Sequence, residues 1–79
     1  MKIRVRFFAG LRELAGHRQI ELEVPPATTV ASLRELVGDR FPGLKRAPAQ
    51  VAVNAEFAPP EQVLQAGDEV ALLPPMSGG

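Results

Sequence analysis

The sequence predicts an α+β fold in which one main crossover helix covers a mixed sheet of four or five strands. Three observations carry that expectation. Apolar and charged residues alternate over Lys2–Phe7 and again over Gln19–Val24, the period of half-buried strands. Val30, Leu33, Leu36, Val37 and Phe41 recur at helical spacing, with Arg34, Glu35, Asp39 and Arg40 on the other side. Glu69–Leu73 is apolar on both of its faces, as a central strand is.

The elements follow in order. Ile3, Val5 and Phe7 of the first strand face one side, and Lys2, Arg4 and Arg6 the other. Phe8 then breaks the polar row and points to that other face. Ala9–Ala15 holds Leu11 and Leu14 at i, i+3 with Gly16 behind as a C-cap, which predicts a short helix. Gln19–Val24 is a second strand with Ile20, Leu22 and Val24 inward and Glu21 and Glu23 outward. Paired antiparallel to the first, it sets Arg4 and Arg6 against Glu21 and Glu23. Pro25-Pro26 ends it, and Thr28 or Thr29 N-caps the main helix. Gly38 weakens that helix by up to about 1 kcal/mol relative to alanine, and Pro42 stops it near Arg40 or Phe41. Residues 43–49 read as a loop. Gln50–Val53 is a third strand with Val51 and Val53 inward, Asn54-Ala55-Glu56 a turn, and Phe57 the opening of a brief fourth strand. Pro59-Pro60 begins an irregular stretch, Ala66-Gly67-Asp68 is a turn, and Pro74-Pro75 stops the last strand. The first and last strands then lie side by side and parallel, connected right-handedly through the helix. That arrangement is a β-grasp, or ubiquitin-like, domain over residues 1–73, followed by an extended tail over 74–79.

With 79 residues, 46% of them hydrophobic, the chain suits one small domain with a thin core. The absence of cysteine excludes disulfides, thiolate metal sites and a cysteine that carries sulfur. His17 is the single histidine, which excludes a histidine-rich metal cluster. Lys+Arg 9 balance Asp+Glu 9, leaving no basic nucleic-acid footprint. The distribution is uneven: residues 1–18 carry Lys2, Arg4, Arg6, Arg12 and Arg18 against Glu13, whereas residues 47–79 carry Glu56, Glu61, Asp68 and Glu69 and no base. With the first and last strands adjacent, the two charge signs meet inside one sheet. No apolar stretch approaches the ~18 residues that span a bilayer, and no apolar leader follows Met1-Lys2. The expectation is a soluble cytoplasmic domain whose partners include neither nucleic acid nor a membrane.

An autonomous enzyme needs a nucleophile–base pair, a metal or a cofactor cradle. His17 has no serine beside it and reads as an exposed loop residue. Glu21 and Glu23 read as solvated strand carboxylates rather than as a glycosidase pair. The arginines of the first strand read as a solvated face or a docking patch. No glycine-rich nucleotide motif occurs.

The tail stands apart. Past Leu73 it runs Pro74-Pro75-Met76-Ser77-Gly78-Gly79, a reach of roughly 20 Å at ~3.3–3.6 Å per residue. The prolines favour an extended, projecting conformation. Gly78 and Gly79 lack Cβ atoms and make a thread thin enough for a slot that excludes side chains. A carboxylate at Gly79 is inert until a partner enzyme activates it as an acyl-adenylate, after which a sulfur or amine nucleophile can attack. With no thiol in the chain, a thiocarboxylate there is its one means of carrying sulfur. A frayed terminus or an expression scar is the competing reading. Phe8, Ala71, Leu73 and Met76, which lie off the helix-covered face or on the tail, form a candidate docking patch, and Pro74, Pro75 and Ser77 adjoin them. Packing of a second small apolar cluster is the plainer alternative.

These residues carry a resemblance that covers essentially the whole chain. Phe7-Phe8-Ala9-Gly10-Leu11-Arg12-Glu13-Leu14-Ala15-Gly16, Thr29-Val30 followed by Leu33, Val51-Ala52-Val53-Asn54, and Gly67 through Gly79 resemble the MoaD family, the ubiquitin-like sulfur-carrier small subunits of molybdopterin synthase. Two departures are Met76, where a valine or another small apolar residue is expected, and Ala55, where a glycine or polar residue is frequent. The resemblance implies that an ATP-using, ubiquitin-activating-like enzyme adenylates Gly79, which becomes a thiocarboxylate. It implies that the tail then enters a large catalytic subunit and gives sulfur to cyclic pyranopterin monophosphate. The chain would bind no cofactor and be no enzyme on its own. Three other readings stay open: a ubiquitin-like modifier joined through Gly79 to lysines, a sulfur carrier for thiamin synthesis or tRNA thiolation, and a non-covalent binding module with an idle tail.

Overall fold

The computed structural model describes residues 1–75, so that Met76, Ser77, Gly78 and Gly79 lie outside it. Strands β1 (Lys2–Phe7), β2 (Gln19–Glu23), β3 (Gln50–Val53), β4 (Glu56–Phe57) and β5 (Glu69–Leu73) form one sheet in the order β2-β1-β5-β3-β4. Among the described residues only β1 and β5 pair in parallel. Helix α1 (Gly10–Ala15) follows β1, and helix α2 (Val30–Arg40) crosses from β2 to β3. This is the β-grasp expected from the sequence, with β5 in the middle of the sheet.

The local chemistry sets the element ends. Thr29 caps α2, its Oγ1 accepting from the Ser32 N–H at 3.2 Å. Phe41 N–H closes the last turn onto Val37 O before Pro42 intervenes. Gly16 ends α1 in the left-handed region at φ 77°, its N–H donating to Arg12 O. Val30, Leu33 and Val37 are buried against the sheet, but Leu36 is 42% exposed. It flanks the stripe that those three define, too far round the helix to reach the sheet. Leu14 is likewise 50% exposed; it leans on the turn at Gly43 instead of on the sheet. Gly38, a weak point in sequence terms, has a packing reason: a Cβ there would stand 3.2 Å from Lys45 Cα.

The core joins Ile3, Val5 and Phe7 of β1 to Val70 and Leu72 of β5, with Phe7 meeting Phe41 edge-on at 5.7 Å. Two fully buried leucines come from segments read as irregular. Leu44 closes a 3₁₀ turn, Pro42–Leu44, that runs into the expected loop. Leu64 is held by its N–H to Thr28 O at 2.9 Å, next to a Thr29–Val63 bridge. The charge pairing also differs from expectation. Arg4 does stand opposite Glu21, but Arg6 stands opposite Gln19, and Glu23 opposite Lys2. Both arginines turn instead to Glu69 on β5, at 3.8 and 3.2 Å, while Lys2 takes Glu21 and the N-terminal amine takes Glu23. A carboxylate between two arginines gains from both, which favours the β5 side. Among the described residues no helix is long and apolar enough to cross a membrane.

Candidate functional site

The face of the sheet away from α2 is built by strand alternation. β1 gives it Arg4 and Arg6, β5 gives Glu69, Ala71 and Leu73, and the register runs Arg6–Ala71–Ala52–Phe57 across four strands. Phe8 prolongs β1 on this face, its N–H donating to Leu72 O at 3.2 Å. Phe8, Ala52, Ala55, Phe57, Ala71 and Leu73 line a shallow depression of about 270 Å³, edged by Arg6 and Glu69. The guanidinium of Arg6 lies 5.1 Å above the Phe8 ring and 3.2 Å from Glu69 Oε1. Its charge is thus shared between a ring face and a carboxylate, and it holds Phe8 against the sheet. An apolar floor with a charged edge can dock a protein surface; among the described residues it offers no nucleophile.

Phe8, Ala71 and Leu73 therefore come together as strand parity placed them. Pro74 and Pro75 follow, both exposed. Met76, Ser77, Gly78 and Gly79 lie outside the described residues. Sequence reading missed Phe57, which is 72% exposed, and Ala52 beside it. The signal was present. A two-residue turn at Asn54–Ala55 pairs Val53 with Glu56 and Ala52 with Phe57, so Phe57 shares the outward parity of Ala52. Phe57 also borders a larger cleft of about 620 Å³ between α2 and the β3–β4 hairpin. Among the described residues that line it the charged one is Arg34, already committed to the Leu44 and Ala47 carbonyls at 2.6 Å each.

A family model described as the ThiS family matches residues 5–79. The chain belongs to the ThiS family. The likeness within and around that family runs the full length of the chain. The molybdopterin synthase sulfur carrier subunit of Haemophilus influenzae is 39% identical over 98% of this chain and 99% of its own. The human protein of the same description is 35% identical over 99% of this chain and 94% of its own. Among solved structures, small archaeal modifier protein 1 of Haloferax volcanii superposes with a TM-score of 0.87 at 29% identity, covering 95% of this chain and 98% of that one. A chain from the complex of subunits 1 and 2 of the Helicobacter pylori molybdopterin-converting factor gives 0.72 at 26% identity, with both chains covered completely. For this ThiS-family chain the resemblance to the small subunits of molybdopterin synthase thus holds.

Proposed function

We propose that this chain is the sulfur-carrier small subunit of a molybdopterin synthase, with Gly79 the residue that carries the sulfur. The observation that carries the reading is the end-to-end match to a sulfur carrier subunit, 98% of one chain against 99% of the other. The geometry supports it: β5 ends at Leu73 beside an apolar plate, so residues 1–73 serve as a holder and 74–79 as an arm. On an adenylating enzyme, a Gly79 carboxylate oxygen attacks the α-phosphorus of ATP; a P–O bond forms and pyrophosphate leaves. A sulfur nucleophile at the sulfide level then attacks the acyl carbon, AMP leaves, and a thiocarboxylate results. The plate around Phe8, Ala71 and Leu73 seats the carrier on a large catalytic subunit. There the thiocarboxylate sulfur bonds to a carbon of cyclic pyranopterin monophosphate as that carbon's oxygen substituent leaves. Water then cleaves the acyl–sulfur bond, leaving the sulfur on the pterin and restoring the carboxylate. The chain contributes the arm and the docking surface, and its partners contribute the catalytic side chains.

The likeness to a small archaeal modifier protein favours a second reading, in which an amine attacks the same adenylate and Gly79 is joined to lysines. Intact mass and terminal-peptide sequencing of the protein from its own cells separate the two. Sulfur in place of one oxygen at Gly79 is the expected result. Gly79 in isopeptide linkage to lysine, with no thiocarboxylate, would replace the carrier by the modifier.

A further inference from the structure

The topology gathers arginines at one end of the sheet. β1 and β5 are parallel, with Phe7 opposite Leu72, so β1 finishes at the end where the chain leaves β5. Three arginines ring that end. Arg12 Nε donates to Phe7 O at 3.4 Å, and Arg18 O accepts from Phe7 N–H at 2.9 Å. Arg40 closes α2 with its guanidinium 5.8 Å from the centre of the Phe41 ring, and that ring abuts Phe7. Among the described residues none of the three has a carboxylate within 4 Å. The acids nearest to them in sequence are Glu13, Glu21 and Asp39; Glu21 is engaged by Lys2 and Asp39 by Lys45, each at 3.5 Å. Glu21 stands at the middle of β2, and Glu23, Glu56, Asp68 and Glu69 sit toward the opposite end. The acids at that other end are largely matched by Lys2, Arg4 and the N-terminal amine, so Arg12, Arg18 and Arg40 leave positive charge at the base of the tail.

That charge answers an electrostatic difficulty of the reaction proposed above, on which this inference rests. The tail delivers an anionic carboxylate to a site that holds an anionic triphosphate. Like charges repel on approach, and an enzyme that handles magnesium nucleotides brings carboxylates of its own. We infer that Arg12, Arg18 and Arg40 form a cationic collar that steers the carrier onto the acidic, ATP-loaded mouth of its adenylating enzyme. Charge complementarity at the rim accelerates encounter and fades as salt rises. The collar adds nothing to the chemistry once the tail is seated, so its effect falls on kcat/KM and spares kcat.

The test is ATP–pyrophosphate exchange by the adenylating enzyme, with carrier concentration varied at low and high ionic strength. Arg18 and Arg40 are exposed, so an Arg18→Glu/Arg40→Glu variant keeps the fold, checked by its Tm. Expected at low salt is a fall in kcat/KM on the order of tenfold with kcat retained. The gap should narrow at high salt, and Arg18→Lys/Arg40→Lys should behave as wild type. Equal kcat/KM for wild type and the charge-reversed variant at low salt would overturn the collar while leaving the carrier reading intact. Slowed association with the large subunit alone, or salt-dependent binding of a short single-stranded RNA lost on charge reversal, would reassign the collar and overturn it too. Wild-type protein that supports no exchange at any salt would overturn both readings.

Discussion

Ala55 occupies a backbone position that suits a residue without a side chain. The β3–β4 turn has two residues, and both, Asn54 at φ 50° and Ala55 at φ 70°, lie in the left-handed region. Asparagine tolerates that region, and its side chain is used: Asn54 Nδ2 donates to Asp68 at 2.9 Å, and its Oδ1 accepts from Glu69 N–H at 3.0 Å. Alanine gains nothing there and bears a steric cost of about 1–2 kcal/mol. Glycine removes that cost but adds freedom to the unfolded chain worth roughly 0.4–1 kcal/mol. The net expectation for Ala55→Gly is a gain of about 0.5–1 kcal/mol, or roughly 2–8 °C in Tm for a domain of this size. Thermal melts of the two proteins check it, and a lowered Tm would show that the turn is not strained at Ala55. The departure of Ala55 from the family pattern was visible in sequence; its meaning needed the backbone angle.

At the scale of elements, periodicity revealed the strands and α2 because each is a local pattern repeated several times. What stayed hidden was the packing of segments without a period. Leu44 and Leu64 look like loop residues in sequence, yet their exposures are 0% and 1%. Their burial depends on partners far along the chain, which no local pattern encodes. Leu14 and Leu36 show the reverse case, apolar residues at helical spacing that the helix width leaves outside. Arg34 belongs to the same lesson. It reads as a solvated helix residue, but its half-buried guanidinium pins the segment after α2 by two bonds of 2.6 Å, to Leu44 O and Ala47 O. Arg34→Met keeps the helix and removes both donors, and hydrogen bonds from a charged group contribute about 1.5–3 kcal/mol. The expected outcome is a lower midpoint in denaturant, with faster amide exchange concentrated in residues 44–49. Unchanged exchange there would mean that Leu44 burial alone holds the segment.

Across the whole molecule, stability and chemistry occupy different parts of the chain. The buried hydrophobic residues described run from Ile3 to Leu72, whereas the proposed reacting residue is Gly79. The fold and the placing of Phe8, Ala71 and Leu73 on the face away from α2 were legible by strand parity. The role proposed for the tail rests on two glycines and a resemblance, because a part proposed to act inside a partner needs no pattern in its own domain. The division predicts two variants with opposite defects. Leu73→Asp places a charge on the apolar plate, where the native side chain is already half-exposed; the monomer stays folded and affinity for the large subunit falls. Gly78→Val leaves the plate intact, so docking and Tm are preserved, while the branched side chain blocks a slot shaped for bare backbone and sulfur transfer is abolished. Binding by calorimetry and single-turnover sulfur transfer, measured on both proteins, separate the two defects. Should Gly78→Val transfer sulfur at the wild-type rate, the slot is wide and the glycines serve some other step. Should Leu73→Asp bind the large subunit as tightly as wild type, the outer face of β5 is not the seat of that subunit.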